Sequence, residues 1–235
     1  METEFVPVAI HNNKGGEDER ILERFEEPSW NNPVMRFVDA GGTDVIPRKD
    51  RVWDTHGVAE RMLAALTAAK KPVPAYLELA ELEARTKGIE TTTFAMPCFW
   101  EGESRLGALA GVTATRAGWL DGREVIEVQF DPKTLAYTEL LAQARKFNCL
   151  SHAYVTSKQQ LSQAQTVLGG SKVKQVTERA KDAKASDQLY YLKRSPLHKL
   201  TLSPLQKTRV NAALRLGKSG TEWLSPKQKL AADQL

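Results

Sequence analysis

The chain has 235 residues, 41% hydrophobic and 26% charged, a composition that supports a buried core and is ordinary for a soluble globular protein. No apolar run approaches the roughly 20 residues of a membrane span, and Met1 is followed by Glu2 and Glu4 rather than by a basic segment and an apolar stretch, so the sequence as written predicts a cytoplasmic protein without a membrane span. The net charge of +4 is uneven: residues 172–235 hold 14 Lys and Arg against 5 Asp and Glu, whereas residues 1–171 hold 19 against 24.

From the N-terminus, "FVPVAI" (5–10) and "VMRFVDAGG" (34–42) are rich in Val, Ile and Phe and end in turn chemistry, which predicts two strands. The charged stretch "GEDERILERFEE" between them predicts a short helix, and "TDVIPR" after Gly41-Gly42 completes a hairpin. Val58, Met62, Leu63, Leu66 and Ala69 follow helical spacing until Pro72 and Pro74 stop the helix. Pro33, in "SWNNPVMRF", heads its strand, a position that tolerates proline and accepts a cis bond. This order of strand, helix, hairpin and helix resembles the second half of a thioredoxin fold, with Pro33 as the loop proline. "SWNNPVMRF", "KPVPAYL", "RVNAALRLG" and "LSPKQ" are similar to the VPGUxxT family of bacterial thioredoxin-like selenoproteins. That resemblance implies a redox cysteine or selenocysteine in a segment preceding Met1.

The middle of the chain has sharper periodicity. "TTTFAM" predicts a strand, Phe99–Leu109 a helix with Leu106 and Leu109 on one face, and "VTATRAGW" and "REVIEVQF" a hairpin through Asp121-Gly122. Thr134–Phe147 predicts a helix with Leu135, Leu140, Leu141 and Ala144 inward, and "LSHAYV" a last strand. The order β-α-β-β-α-β is that of a ferredoxin-like domain, an antiparallel sheet with strand order 4-1-3-2 and helices on one face. In that topology the first strand ends at Cys98, the second ends at Trp119, the third begins at Glu124, and the fourth begins just after Cys149. Both cysteines, one carboxylate and one indole therefore meet on one rim. Glu124 shares the face of Ile126, Val128 and Phe130 by period two and points toward the helix layer. Cys98 stands where unpaired N–H groups at a helix start favour a thiolate. An isolated Cys beside aromatics also fits core packing, and a strand-initial Glu also fits a solvated end.

The same residues carry a family likeness. "PCFWEGESRLGALAGVTATRAGWLDG" followed by "EVIEVQFDP" resembles the A-type peptide methionine sulfoxide reductases over about residues 91–165. The resemblance implies Cys98 as nucleophile, Phe99 and Trp100 as an aromatic cage for the substrate methyl, and Trp119 in place of a substrate-binding tyrosine. It implies Glu124, seven residues before Asp131, as the acid that protonates the sulfoxide oxygen. Pro97 stands where the family has glycine, and the segment carrying a second tyrosine is missing between Cys149 and "SHAYVTS".

Beyond Gly169-Gly170 the polar stretch 171–188 predicts a linker. Ser203 as N-cap and Pro204 at the first helical position then open a helix that closes at Gly217. Tyr190, Tyr191 and Trp223 flank this helix and dock it. The basic residues of the tail stand singly among Leu, Ser and Thr, which predicts a solvated surface and no nucleic-acid partner. Two cysteines, neither in a CxxC nor near a His at ligand spacing, argue against a metal site, and no phosphate loop, GxSxG elbow or HExxH is present. No cofactor is expected.

The sequence thus predicts an α/β (α+β) chain. A partial thioredoxin-like segment (1–80) precedes a ferredoxin-like domain of reductase A type (89–170), a linker (171–188) and a small helical basic extension (189–235). Two functions fit. In one, Cys98 attacks an oxidised thiol or methionine sulfoxide, Glu124 supplies the proton, and Cys149 resolves the sulfenic acid to a disulfide for a thioredoxin-type reductant. In the other, a degenerate reductase domain serves as a binding or scaffold module.

Overall fold

The computed structural model describes residues 3–85 and 88–235 and divides into two units, Met1–Ala84 and Arg85–Leu235. Its class is mixed, with helices packed on antiparallel-rich sheets. No helix among the described residues is long and apolar enough to cross a membrane.

In the first unit, α1 (Glu17–Arg24) has Glu17, Asp18 and Glu19 in its first turn and Arg24 in its last, charges that suit the helix dipole, and it buries no residue. The hairpin β1 (Val34–Val38) and β2 (Asp44–Asp50) turns where the Asp39 carboxylate accepts from the Gly41 and Thr43 N–H groups, both at 2.9 Å. The Asn32–Pro33 peptide at its head is cis. Asp54 caps α2 (Thr55–Ala68) by accepting from Gly57 N–H at 2.7 Å. The core joins Ala59, Met62, Leu66 and Leu77 to Phe5, Phe37 and Val58.

Two expectations fail here. Residues 5–10 form no strand: Pro7 cannot donate to a ladder, and Val6 and Val8 lie 90% and 73% exposed, while Phe5 packs edge-on against Phe37 at 5.4 Å. A further helix, α3 (Ala75–Ala84), follows Pro74, where the prolines suggested only a stop. Proline is well suited to the residue that opens a helix, because the N–H it lacks would have no partner there.

In the second unit a six-stranded sheet runs in the order β7-β6-β3-β5-β4-β8. Its centre is the predicted set, β6 (His152–Val155), β3 (Glu90–Ala95), β5 (Arg123–Phe130) and β4 (Val112–Leu120), all antiparallel and in the predicted order. Asp121 and Gly122, with φ of 49° and 71°, make the β4–β5 turn, a geometry that favours Gly and Asp. Helices α4 (Phe99–Gly107) and α5 (Tyr137–Lys146) contribute to the core with Phe94, Leu106, Ile126, Phe130, Leu140 and Leu141. α5 starts three residues later than its periodicity suggests, because Asp131 ties up the preceding turn through Lys133 N–H at 3.0 Å and the Thr134 hydroxyl at 2.9 Å.

The stretch 171–188 is not a free linker. After α6 (Lys158–Leu168) it adds β7 (Val173–Gln175) in parallel to β6, contributes Val176 and Ala180 to a second core with Ala95, Val125 and Tyr154, and adds β8 (Lys181–Asp182) beside β4. Gly118 makes that last pairing possible: a Cβ there would lie 2.7 Å from the Lys181 carbonyl oxygen. Gln188 then bonds both backbone groups of Ala117, accepting at 3.0 Å and donating at 2.7 Å. The stretch is polar because its strands are short edge strands with one buried residue at most.

The C-terminal part comprises α7 (Tyr190–Lys193), α8 (Pro204–Arg215) and α9 (Pro226–Ala232) around Leu192, Leu197, Leu202, Val210 and Leu224. Ser203 with Gln206, and Ser225 with Gln228, form reciprocal N-terminal caps behind a proline at the first helical position.

Candidate active site

β3 delivers the chain to Cys98, which is the N-cap of α4 with extended backbone (φ −148°, ψ 113°). Its own side chain makes no cap bond. The orphan donor is met from β5 instead: Phe99 N–H donates to Glu124 Oε2 at 2.8 Å, and Met96 N–H donates to the Glu124 carbonyl at 3.1 Å. Glu124 thus faces the helix layer, as its register implies, and its carboxylate sits one residue from the thiol. Gly102 in the next turn admits Met96, since a Cβ there would run into the Met96 sulfur.

Cys149 lies between α5 and β6, 2% exposed, with its thiol 3.4 Å from the Phe147 carbonyl. Two residues on, Ser151 donates to the Ala95 carbonyl through both its N–H (2.8 Å) and its hydroxyl (2.9 Å), fastening this loop to the end of β3. Both cysteines are free thiols. Burial pushes the Cys149 thiol up to about 11, with Arg105 opposing and the charges of Glu101 and Cys98 adding to the rise.

The aromatic residues form a continuous run. Trp119, 43% exposed and opposite Glu124 in the ladder, stands edge-on to Phe99 at 5.7 Å, and Phe99 meets Trp100 at 6.0 Å. Trp100 is stacked at 4.1 Å and 25° against Tyr190 of α7. Pro33 belongs to the other unit; Cys98, Phe99 and Trp100 open α4, Glu124 and Trp119 meet it at Phe99, and Cys149 lies on the loop that Ser151 fastens to the end of β3.

What sequence reasoning missed is the role of the C-terminal helices. Two glutamates of α4 and the carbonyls at its C-terminal end are answered from them. Glu101 receives Arg215 at 2.7 and 3.2 Å, Arg105 at 2.9 Å and the Tyr191 hydroxyl at 3.2 Å; chiefly through Arg215, its carboxyl is held below the ordinary range. Glu103, 1% exposed, accepts from Leu189 N–H at 2.6 Å, and burial raises it to about 8, so its neutral form predominates at pH 7. Arg209 is 5% exposed and donates to the carbonyls of Gly107, of Leu109 at 2.7 Å and of Val112 at 3.0 Å, closing the C-terminal end of α4. Burial lowers Arg209 to about 10, still well above neutral pH. These arginines are not part of a solvated basic surface. A signal for Arg209 existed: it sits four residues after Leu205 and three before Ala212, on the buried stripe of α8.

No three His, Cys, Asp or Glu side chains among the described residues are grouped to hold a metal ion. The chemistry at hand is that of a half-exposed thiol, a carboxyl bonded to the adjacent N–H, and a second, buried thiol.

No family model matches the chain. It is 29% identical over 134 residues to peptide methionine sulfoxide reductase MsrA of Rhodospirillum centenum, covering 50% of this chain and 51% of that protein. It is 38% identical over 64 residues to the peptide methionine sulfoxide reductase of Drosophila melanogaster (22% of this chain, 26% of that one). Against MsrA of Geobacter metallireducens it is 34% identical over 73 residues (24% and 45%). The match spans about half or less of the length of each of these relatives. Among solved structures, methionine sulfoxide reductase A of Corynebacterium diphtheriae is similar with a TM-score of 0.40 at 18% identity, covering 57% of this chain and 88% of that one.

Proposed function

We propose that the chain is a thiol oxidoreductase of the peptide methionine sulfoxide reductase type, with Cys98 as nucleophile, Glu124 as proton donor and Cys149 as resolving thiol. The observation that carries this reading is the Glu124 carboxylate on Phe99 N–H at 2.8 Å, which holds an acid one residue from a half-exposed thiol. The similarity to reductases over half the chain supports the substrate class.

Cys98 as thiolate attacks the sulfur of a sulfoxide while the oxygen takes the Glu124 proton. Collapse cleaves the sulfur–oxygen bond to the substrate, which leaves as a thioether, and Cys98 keeps the oxygen as a sulfenic acid. Cys149 then attacks that sulfur, water departs, and a disulfide remains for a thioredoxin-type dithiol to reduce. The substrate loses one oxygen and the protein two thiol hydrogens, so the two-electron balance closes. Phe99 and Trp100 serve as the aromatic cage for the substrate methyl, with Trp119, edge-on to Phe99 at 5.7 Å, beside them. In the same reading the hairpin behind Pro33 is the thioredoxin-like part of the chain.

One equivalent of peroxide given to the reduced protein tests this. A Cys98–Cys149 disulfide is expected by peptide mass, and Cys149→Ser should leave a sulfenic acid on Cys98. Because burial raises the resolving thiol to about 11, disulfide closure should quicken as pH rises above 7. A second reading, a catalytically silent binding module, is favoured by one contact: Tyr190 covers a face of Trp100 at 4.1 Å, leaving less of that indole for a substrate. A Cys98 inert to peroxide and iodoacetamide until unfolding would select it.

A further inference from the structure

Glu101 stands three residues after Cys98, on the first turn of the helix that Cys98 caps. A bare carboxylate there opposes ionisation of the thiol. Yet Glu101 is not bare. Arg105 reaches it along the helix, and Arg215, the last residue of α8, meets it with both Nε and Nη2, the latter at 2.7 Å. The Arg215 side chain is the more covered of the two arginines, 25% exposed against 39%, so its charge is less screened by water. The Tyr191 hydroxyl donates to Oε1 at 3.2 Å, the oxygen that Arg215 Nε also reaches at 3.2 Å.

We propose that Arg215 is a positioning residue of the Cys98 site: it clamps and neutralises Glu101, so that the start of α4 presents the thiol to its substrate without an uncompensated negative charge beside it. The inference rests on the reading of Cys98 as the reactive thiol. The extension read as a basic tail then becomes part of the site, acting through a contact 114 residues distant in sequence. The groups that bear on the thiol come from every element around it: Glu101 and Arg105 from α4, Glu124 from β5, Cys149 from the loop before β6, Tyr191 from α7 and Arg215 from α8. Burial, and then the charges of Glu101 and Cys98, raise the Tyr191 phenol, so it stays protonated as a donor at neutral pH.

The pH–rate profile for iodoacetamide labelling of Cys98, followed by peptide mass in the full chain, tests the inference without any sulfoxide turnover. Arg215→Ala should move the profile to higher pH and slow labelling at pH 7 by about threefold or more, the scale of one unpaired charge near a protein surface. Arg215→Lys should keep most of the wild-type profile. The double variant Glu101→Gln with Arg215→Ala removes both charges and should return the profile toward wild type, whereas a purely structural contact predicts a double variant at least as impaired as Arg215→Ala. An unmoved profile in Arg215→Ala, or a double variant that fails to recover, overturns the proposal. Methionine sulfoxide turnover measured on the wild-type chain is scored separately: its absence with a shifted labelling profile removes the reductase reading and leaves this one standing. Wild-type Cys98 that labels only after unfolding overturns both.

Discussion

Helices α1 and α4 are similar in length, and both carry acidic residues, yet they live under different rules. α1 buries nothing, and its Arg20–Glu17 pair is 75% and 81% exposed. α4 buries Phe99, Gly102, Glu103, Ser104, Leu106 and Gly107, and both of its glutamates are met by named partners. The difference teaches where polar side chains carry information. In water a charge is satisfied anywhere, so its neighbours are arbitrary; once covered, it must be matched by geometry, and the match ties distant segments together.

The largest test of this contrast is Arg209. Arg209→Met fills similar space but removes the charged donor that three carbonyls share, of which that of Leu109 keeps another, Val112 N–H at 3.1 Å, and should cost about 3 kcal/mol in urea unfolding of the full chain. A loss no greater than a surface substitution would erase the distinction drawn between the two helices. Next comes Glu124→Gln, which keeps an oxygen to accept from Phe99 N–H but has no proton to give. Turnover on a sulfoxide should fall about a hundredfold while iodoacetamide labelling of Cys98 changes little.

Glu103 sharpens the contrast through pH. The folded carboxyl keeps its proton up to about pH 8, whereas the unfolded one loses it near its ordinary 4.5, so the folded state binds more protons between these values and stability falls as pH rises across them. Glu103→Gln, still able to accept from Leu189 N–H, should flatten that fall and leave the variant about 1–2 kcal/mol more stable than wild type at pH 8, read from denaturation midpoints at pH 5 and pH 8. The smallest effect belongs to α1: Arg20→Ala should change stability by less than about 0.5 kcal/mol.

The same distinction explains what the sequence made legible. The set from β3 to β6 could be read in order because its strands alternate or run apolar, its helices keep one face, and Asp121-Gly122 announces a turn. Cys98, Glu124 and Trp119 then followed from topology. Residues 5–10 misled because their composition suits a strand while Pro7 and the lack of a partner forbid a ladder. α3 was hidden by apolar residues spread around its circumference, so that Leu77 and Leu79 are both buried without a helical interval. β7 and β8, three and two residues long, are too short for a period to register. The partners of Glu101 and Glu103 were invisible for a different reason: nothing local at Arg215 or Leu189 shows which carboxylate, 114 or 86 residues away, it will meet.

The stack of Trp100 on Tyr190 continues outward, for Arg194 lies over the other face of Tyr190 at 3.4 Å from its centre. This column of indole, phenol and guanidinium couples the cysteine helix to the C-terminal helices within optical reach, and Trp30 and Trp53, 76% and 73% exposed, are easily silenced by a soluble quencher. The light that remains comes in part from a ring two residues from Cys98. The molecule thereby carries its own gauge: departure of α7 from α4 would uncover an indole, redden its emission and erase an asymmetric ring pair from the near-ultraviolet dichroism, with no label attached.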